Sequence, residues 1–209
     1  MVRHGETAWN RESRFQGWLD IPMNAQGSAQ SDLLAQRFAG YPFDAVLSSP
    51  LARARETGRK IFEAAKCSVF ITDDGFCEIC HGSWEGSLAS DVREKYAELT
   101  EQWKKQPESV RMPGVGGERA ADVQTRALAA LKRTAFTFSG DVMLATHDAV
   151  IRAILCYYLD MPLSSYWKFQ IPNCSVSFIE FTDGFPRLGL LGDTSHLHSG
   201  FDRFETQSM

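Results

Sequence analysis

Arg3, His4 and Gly5 stand in immediate succession at the start of the chain. Arginine supplies a permanent cation, histidine a nucleophile that is uncharged near neutral pH, and glycine a point where backbone comes close to a ligand. Together they suit a dianionic phosphate. Taken alone, the tripeptide fits a tight surface turn better. Two further groups of the same kind lie far along the chain. His147 closes the apolar run Val142-Met143-Leu144-Ala145-Thr146, and Arg53 follows Val46-Leu47 by about one helical turn.

The surrounding elements give those positions a common meaning. Short apolar runs over 44–49, 69–71 and 142–146 predict strands, the last buried on both faces. Helical spacing predicts helices from a cap at Gly27-Ser28 to Gly40, over 51–65, over 89–103, over 120–138, and from His147 towards Pro162. A strand over 174–181 turns at Asp183-Gly184 into a hairpin partner over 187–191. Strands alternating with helices predict an α/β sandwich with a mainly parallel sheet and an antiparallel edge. Ligands bind beyond the carboxyl ends of parallel strands. Arg53 and His147 fall there, and Arg3-His4 does too if a strand leads into it. Almost no chain precedes Arg3, so the expectation is that this first strand lies upstream of the numbering.

With 209 residues the chain suits a single domain, 1–209, with the tail from about residue 196 loosely held. Lys+Arg of 22 against Asp+Glu of 26 gives 22 − 26 = −4, which argues against a nucleic-acid partner. No apolar run approaches the roughly 18 residues of a membrane span. Five cysteines, odd in number and irregularly spaced, fit a reducing cytoplasm. Cys77-x-x-Cys80 lacks the second ligand pair of a structural zinc site. A metal hydrolase built on His4, His81, His147, His196 and His198 would lack acidic ligands at compact spacing. The expectation is no metal and no cofactor.

Five ordered motifs carry a family resemblance: R-H-G-E-T-A-W-N from Arg3, S-S-P-L-A-R-A-R-E-T over 48–57, G-S-W-E-G over 82–86, G-G-E over 116–118 and Thr146-His147. In this order they resemble the histidine phosphatase superfamily, also called phosphoglycerate mutase-like. The resemblance spans roughly residues 2–179. It implies a three-layer α/β/α fold and a metal-independent phosphomonoesterase working on a small phosphorylated metabolite, with inorganic phosphate as product. His4 would be the nucleophile, and Arg3, Arg53 and a cationic His147 would surround the phosphoryl oxygens. Asn10 would donate to phosphate, and Glu78 would be the general acid and base, preferred over Glu85. Gln16 and Gly17 would touch the substrate beyond the phosphate. Asp148 stands where the family usually has a small residue. Its backbone is a phosphate-contact position, and its side chain is expected to turn away as a helix cap.

The segment Ile79-Cys80-His81-Gly82, with about 30 residues between Gly86 and Gly116, resembles the phosphatase branch rather than the mutases. A cofactor-dependent phosphoglycerate mutase and a non-catalytic phosphate-binding module are the alternatives. Trp18, Trp84, His81 and the 112–117 loop are expected to shape the substrate side. The tail from Gly192 resembles those of small-metabolite phosphatases, including α-ribazole phosphatases. A monomer and a homodimer both remain open.

Overall fold

The computed structural model describes residues 1–197. In chain order the elements are β1 (Val2–Arg3), α1 (Ala8–Arg11), α2 (Ala25–Arg37), β2 (Ala45–Ser48), α3 (Ala52–Ala65), β3 (Phe70–Thr72), α4 (Ala89–Lys95), α5 (Ala97–Lys105), α6 (Ala120–Arg133), β4 (Val142–Thr146), α7 (Asp148–Tyr158), β5 (Val176–Thr182) and β6 (Phe185–Asp193). The strands form one sheet in the order β3-β2-β4-β1-β5-β6. β1, β2, β3 and β4 run parallel, and β5 and β6 are antiparallel. The parallel core and its antiparallel edge are as the sequence predicts.

Side-chain alternation along the strands builds the layers. Ala45, Leu47 and Leu144 point to one face, where Val123 and Ala127 of α6 and Val150 and Ile154 of α7 cover them. Val46, Met143 and Ala145 point to the other, against Leu34 of α2 and Ile61 of α3. The result is the expected α/β/α arrangement.

A first strand leading into Arg3-His4 is present within this numbering as β1, where Val2 pairs on both sides, with Ala145 of β4 and Val176 of β5. Other boundaries move for local reasons. Asn24, not Ser28, caps α2, its Oδ1 accepting from Gly27 N at 2.8 Å. The predicted 89–103 helix breaks at Tyr96 (φ −124°, ψ 40°) into α4 and α5. The 120–138 helix ends at Arg133 and passes into a 3-10 turn, Ala135–Thr137. The tail is held as far as residue 197: Arg37 of α2 pairs with Asp193 and lies 3.1 Å from His196 Nδ1. His198 lies outside the described residues.

Two glycines lock the first loop to α2. A Cβ on Gly5 would lie 2.4 Å from Gly27 O, and one on Gly27 would lie 2.1 Å from Glu6 O. The freedom at Gly5 is therefore used by a helix, not by a ligand as the sequence suggests. Gly27→Ala must push α2 off backbone rather than off a flexible side chain. It should lower the unfolding free energy by about 1–3 kcal/mol in urea titration, and an unchanged midpoint would show that α2 does not press on the Arg3–Thr7 turn.

Candidate active site

Strand register assembles the site. Arg3 of β1 lies beside Thr146 of β4, so the next residues, His4 and His147, emerge together at one rim of the sheet. Their ring centroids are 5.1 Å apart with the planes tilted by 60°. The turn after β1 is pinned from three sides. His4 N donates to Thr146 O at 3.0 Å, Gly5 N to Thr57 Oγ1 of α3 at 3.2 Å, and Asn173 Nδ2 to His4 O at 2.9 Å. His4 Nδ1 lies 2.8 Å from Gly5 O. A carbonyl only accepts, so Nδ1 carries the proton and Nε2 keeps its lone pair. His147, fully buried, places Nε2 2.8 Å from Ser49 Oγ, just past β2.

Two guanidinium groups flank the rings. Arg53 is 0% exposed and donates to Gly17 O at 2.8 Å and Leu19 O at 3.0 Å. Arg3 donates to Ile171 O at 2.7 Å. Arg3 Nε, Arg53 Nε and His147 Nδ1 are buried without a hydrogen-bond partner among the described residues. Leaving such a group unpaired costs about 1–3 kcal/mol, so three in one corner call for an acceptor. Burial, then the charges of Arg53 and Arg3, hold His4 well below the usual histidine range. Burial, then Arg53 and His4, do the same to His147. The site's own surroundings thus favour the neutral ring of His147, against the pull a dianion would exert towards the cation.

Glu78 stands at the wall of the same cavity. Its Oε1 accepts from Ile79 N at 2.9 Å and from Ala149 N in the first turn of α7 at 3.2 Å. Desolvation, then Asp148, pushes its carboxyl above the ordinary range. The competing Glu85 is a brace, its Oε1 accepting from Trp18 N and His81 N at 3.0 Å each.

The backbone of Glu78 is fixed by a pair that the sequence reading missed. Arg126 of α6 donates to Glu78 O at 2.8 Å and to Cys77 O at 2.7 Å, and is held by Glu118 at 2.8 and 2.9 Å. The G-G-E motif pointed to Glu118 without its partner. Thr57 and Asn173 were also missed, although Thr57 sits four residues after Arg53 on the same helical face.

The cavity has a volume of about 710 Å³, and Arg3, His4, Asn10, Gln16, Gly17, Arg53, Glu78 and Asp148 all border it. Asn10 also closes the cap of α1, its Oδ1 accepting from Thr7 N at 3.0 Å, which leaves its NH₂ as a donor. Gln16 Oε1 accepts from Thr7 Oγ1 at 2.9 Å. Gly17 has φ +54°, and a Cβ there would strike Glu85.

Asp148 is not the helix cap that was expected. His147 occupies the cap position, and Asp148 is the first residue of α7, paired through Oδ2 with Arg152 Nε at 2.8 Å. A cation one turn further along the helix gives the carboxylate a closer partner than the helix end. Among the expected substrate-side groups, His81 borders the cavity, joined by Trp103, Trp167 and Arg152. Trp84 is core, and Pro113 O braces the turn at Ser83 N, 2.7 Å away. Among the described residues no group of three or more His, Cys, Asp or Glu side chains is placed to hold a metal.

The model of the histidine phosphatase superfamily, branch 1, matches residues 1–194. The chain belongs to that superfamily. Phosphoserine phosphatase 1 of Hydrogenobacter thermophilus is 35% identical over 198 residues, covering 94% of this chain and 92% of the relative. A 2,3-bisphosphoglycerate-dependent phosphoglycerate mutase 2 of Gloeobacter violaceus is 32% identical, covering 88% and 86%. The solved structure of Bacillus stearothermophilus YhfR superposes with a TM-score of 0.85 at 30% identity, covering 94% and 97%.

The buried histidines of this superfamily member tie stability to pH. His4 and His147 titrate well below 6.5 in the folded state, and burial, then Arg53, takes His81 down to about 3. A depressed histidine value means that the unfolded chain binds protons the folded chain refuses. Stability is therefore full above about pH 6.5 and is lost as pH falls below it. Glu78, shifted upward, acts in the opposite sense. The urea midpoint should fall between pH 7 and pH 5.5 with net proton uptake on unfolding; a midpoint that rises over that interval contradicts neutral buried imidazoles.

Proposed function

We propose that the protein is a phosphatase that hydrolyses a small phosphorylated metabolite through a phosphohistidine on His4, within one domain over 1–209. The observation that carries this reading is the pair of imidazoles 5.1 Å apart, flanked by the unpartnered Nε groups of two arginines. His4 Nε2 attacks phosphorus, so that an N–P bond forms as the ester P–O bond breaks. Glu78 passes its proton to the leaving oxygen. Water then attacks the phosphohistidine, gives a proton back to Glu78 and releases inorganic phosphate.

Arg3, Arg53 and the Nδ1–H of His147 hold the phosphoryl oxygens as charge spreads over them. That proton sits on Nδ1 when Ser49 donates its hydroxyl to Nε2. Asn10 adds its NH₂ and Asp148 its backbone N–H, while Gln16 and Gly17 meet the substrate beyond the phosphate. We place the enzyme in the cytoplasm, a reading supported by its five free thiols.

For the substrate we put phosphorylated small carboxylic acids first. The names of the Hydrogenobacter and Gloeobacter relatives refer to phosphoserine and phosphoglycerate, both of which carry a carboxylate close to the phosphate ester. The Gloeobacter name also supports the mutase as a second reading. Against it stands the short stretch between Gly86 and Gly116, where α4 and α5 leave little chain to close over a phosphohistidine and exclude water.

Purified protein assayed with phosphoserine, 3-phosphoglycerate and β-glycerophosphate should release inorganic phosphate, and should do so in the presence of chelator. His4→Ala should reduce turnover by at least about a thousand-fold. Undiminished turnover of His4→Ala overturns the phosphohistidine, and phosphoglycerate interconversion without phosphate release selects the mutase.

A further inference from the structure

Asp148 follows His147 directly and opens α7, and the next residue, Ala149, grips Glu78 Oε1 with its amide. The same helical turn therefore presents one carboxylate to another carboxyl group. Asp148 Oδ2 is tied to Arg152 Nε at 2.8 Å, while Oδ1 is buried without a hydrogen-bond partner among the described residues. Arg152 is itself 5% exposed and fixed by the carbonyls of Tyr166 and Phe169, which gives the Asp148 carboxylate a fixed partner.

The other charged and titratable groups facing Glu78 come from separate elements. Arg53 of α3 and Arg3 of β1 favour its ionised form. Arg152 of α7 and Tyr166, in the 3-10 turn Leu163–Lys168, also feel its charge, and Arg126 of α6 meets its backbone carbonyl. His4 and His147 are neutral neighbours. Burial and Asp148 oppose the pull of Arg53 and Arg3 towards the ionised form. Arg3, Arg53, Glu78 and Asp148 all border the same cavity.

We propose that Asp148, pinned by Arg152, is a positioning residue that keeps Glu78 in its neutral, proton-donating form until the ester bond breaks. This rests on the reading of Glu78 as the general acid. It assigns Asp148 a side-chain role in addition to any backbone contact with phosphate. The proton concerned is the one that Glu78 delivers to the leaving oxygen and recovers from water, so Asp148 itself neither gains nor loses one.

The test compares wild type, Asp148→Asn and Glu78→Gln on the fastest of the three alkyl phosphates above and on p-nitrophenyl phosphate, whose phenolate leaves without a proton. Asparagine keeps an acceptor for Arg152 and removes only the charge. In Asp148→Asn the alkaline limb of kcat against pH for the alkyl phosphate should move down by about one unit, with a loss of about tenfold at pH 8. The loss on p-nitrophenyl phosphate at its own optimum should be at least about fivefold smaller than the loss on the alkyl phosphate. An unmoved limb, or equal losses on both substrates, overturns the proposal by making Asp148 merely structural. If Glu78→Gln shows no contrast between the two leaving groups, the assignment of Glu78 falls, and the proposal with it.

Discussion

Among the described residues, Arg3 and Arg53 have no carboxylate partner in an ion pair, although both lie beside the His4 and His147 rings. Both are held by backbone carbonyls instead, of Ile171 for Arg3 and of Gly17 and Leu19 for Arg53. A buried cation is costly unless something opposite meets it. Carbonyl dipoles offset part of that cost and fix the geometry, but leave the positive charge available to an incoming anion. Elsewhere arginine is paired with acid: Arg126 with Glu118, Arg152 with Asp148, Arg37 with Asp193. Those pairs fasten segments together. The fold thus separates arginines that pair with acids from two that border the cavity on carbonyl partners alone.

The rest of the architecture keeps this corner in place. Parallel register between β1 and β4 sets the two imidazoles side by side, and β2 delivers Ser49 and α3 to the same rim. Gly5 and Gly27 let α2 close over the first turn, while Thr57 and Asn173 hold its backbone. These contacts are short and made largely by buried groups, which suits a site where an error of about 1 Å is felt in rate.

Much of this was legible in the residues. The apolar run ending at His147 and the strand-then-helix pattern around Arg53 placed both at carboxyl ends of parallel strands, and ordered motifs tied them to Arg3-His4. Local spacing carries that information because strand and helix periods are short. What sequence reading missed depends on pairing across the fold. Two residues of β1 carry no readable pattern, and pairing with β4 and β5 identifies them as strand. Asp148 looked like a cap until Arg152 offered a closer partner. Trp103 and Trp167 reach the cavity from separate elements, and Arg126 finds Glu78 O across 48 residues of chain. The pull on His147 towards its neutral form follows first from burial, which spacing alone does not reveal.

The central claim is that the unpartnered donors beside His4 are built for a phosphoryl group. A crystal structure of the protein soaked with orthovanadate tests it most directly. Vanadium should bond to His4 Nε2, with Arg3 Nε, Arg53 Nε and His147 Nδ1 each about 3 Å from a vanadate oxygen. Vanadate seated away from His4, or bound there with those three nitrogens still lacking an acceptor, would contradict it.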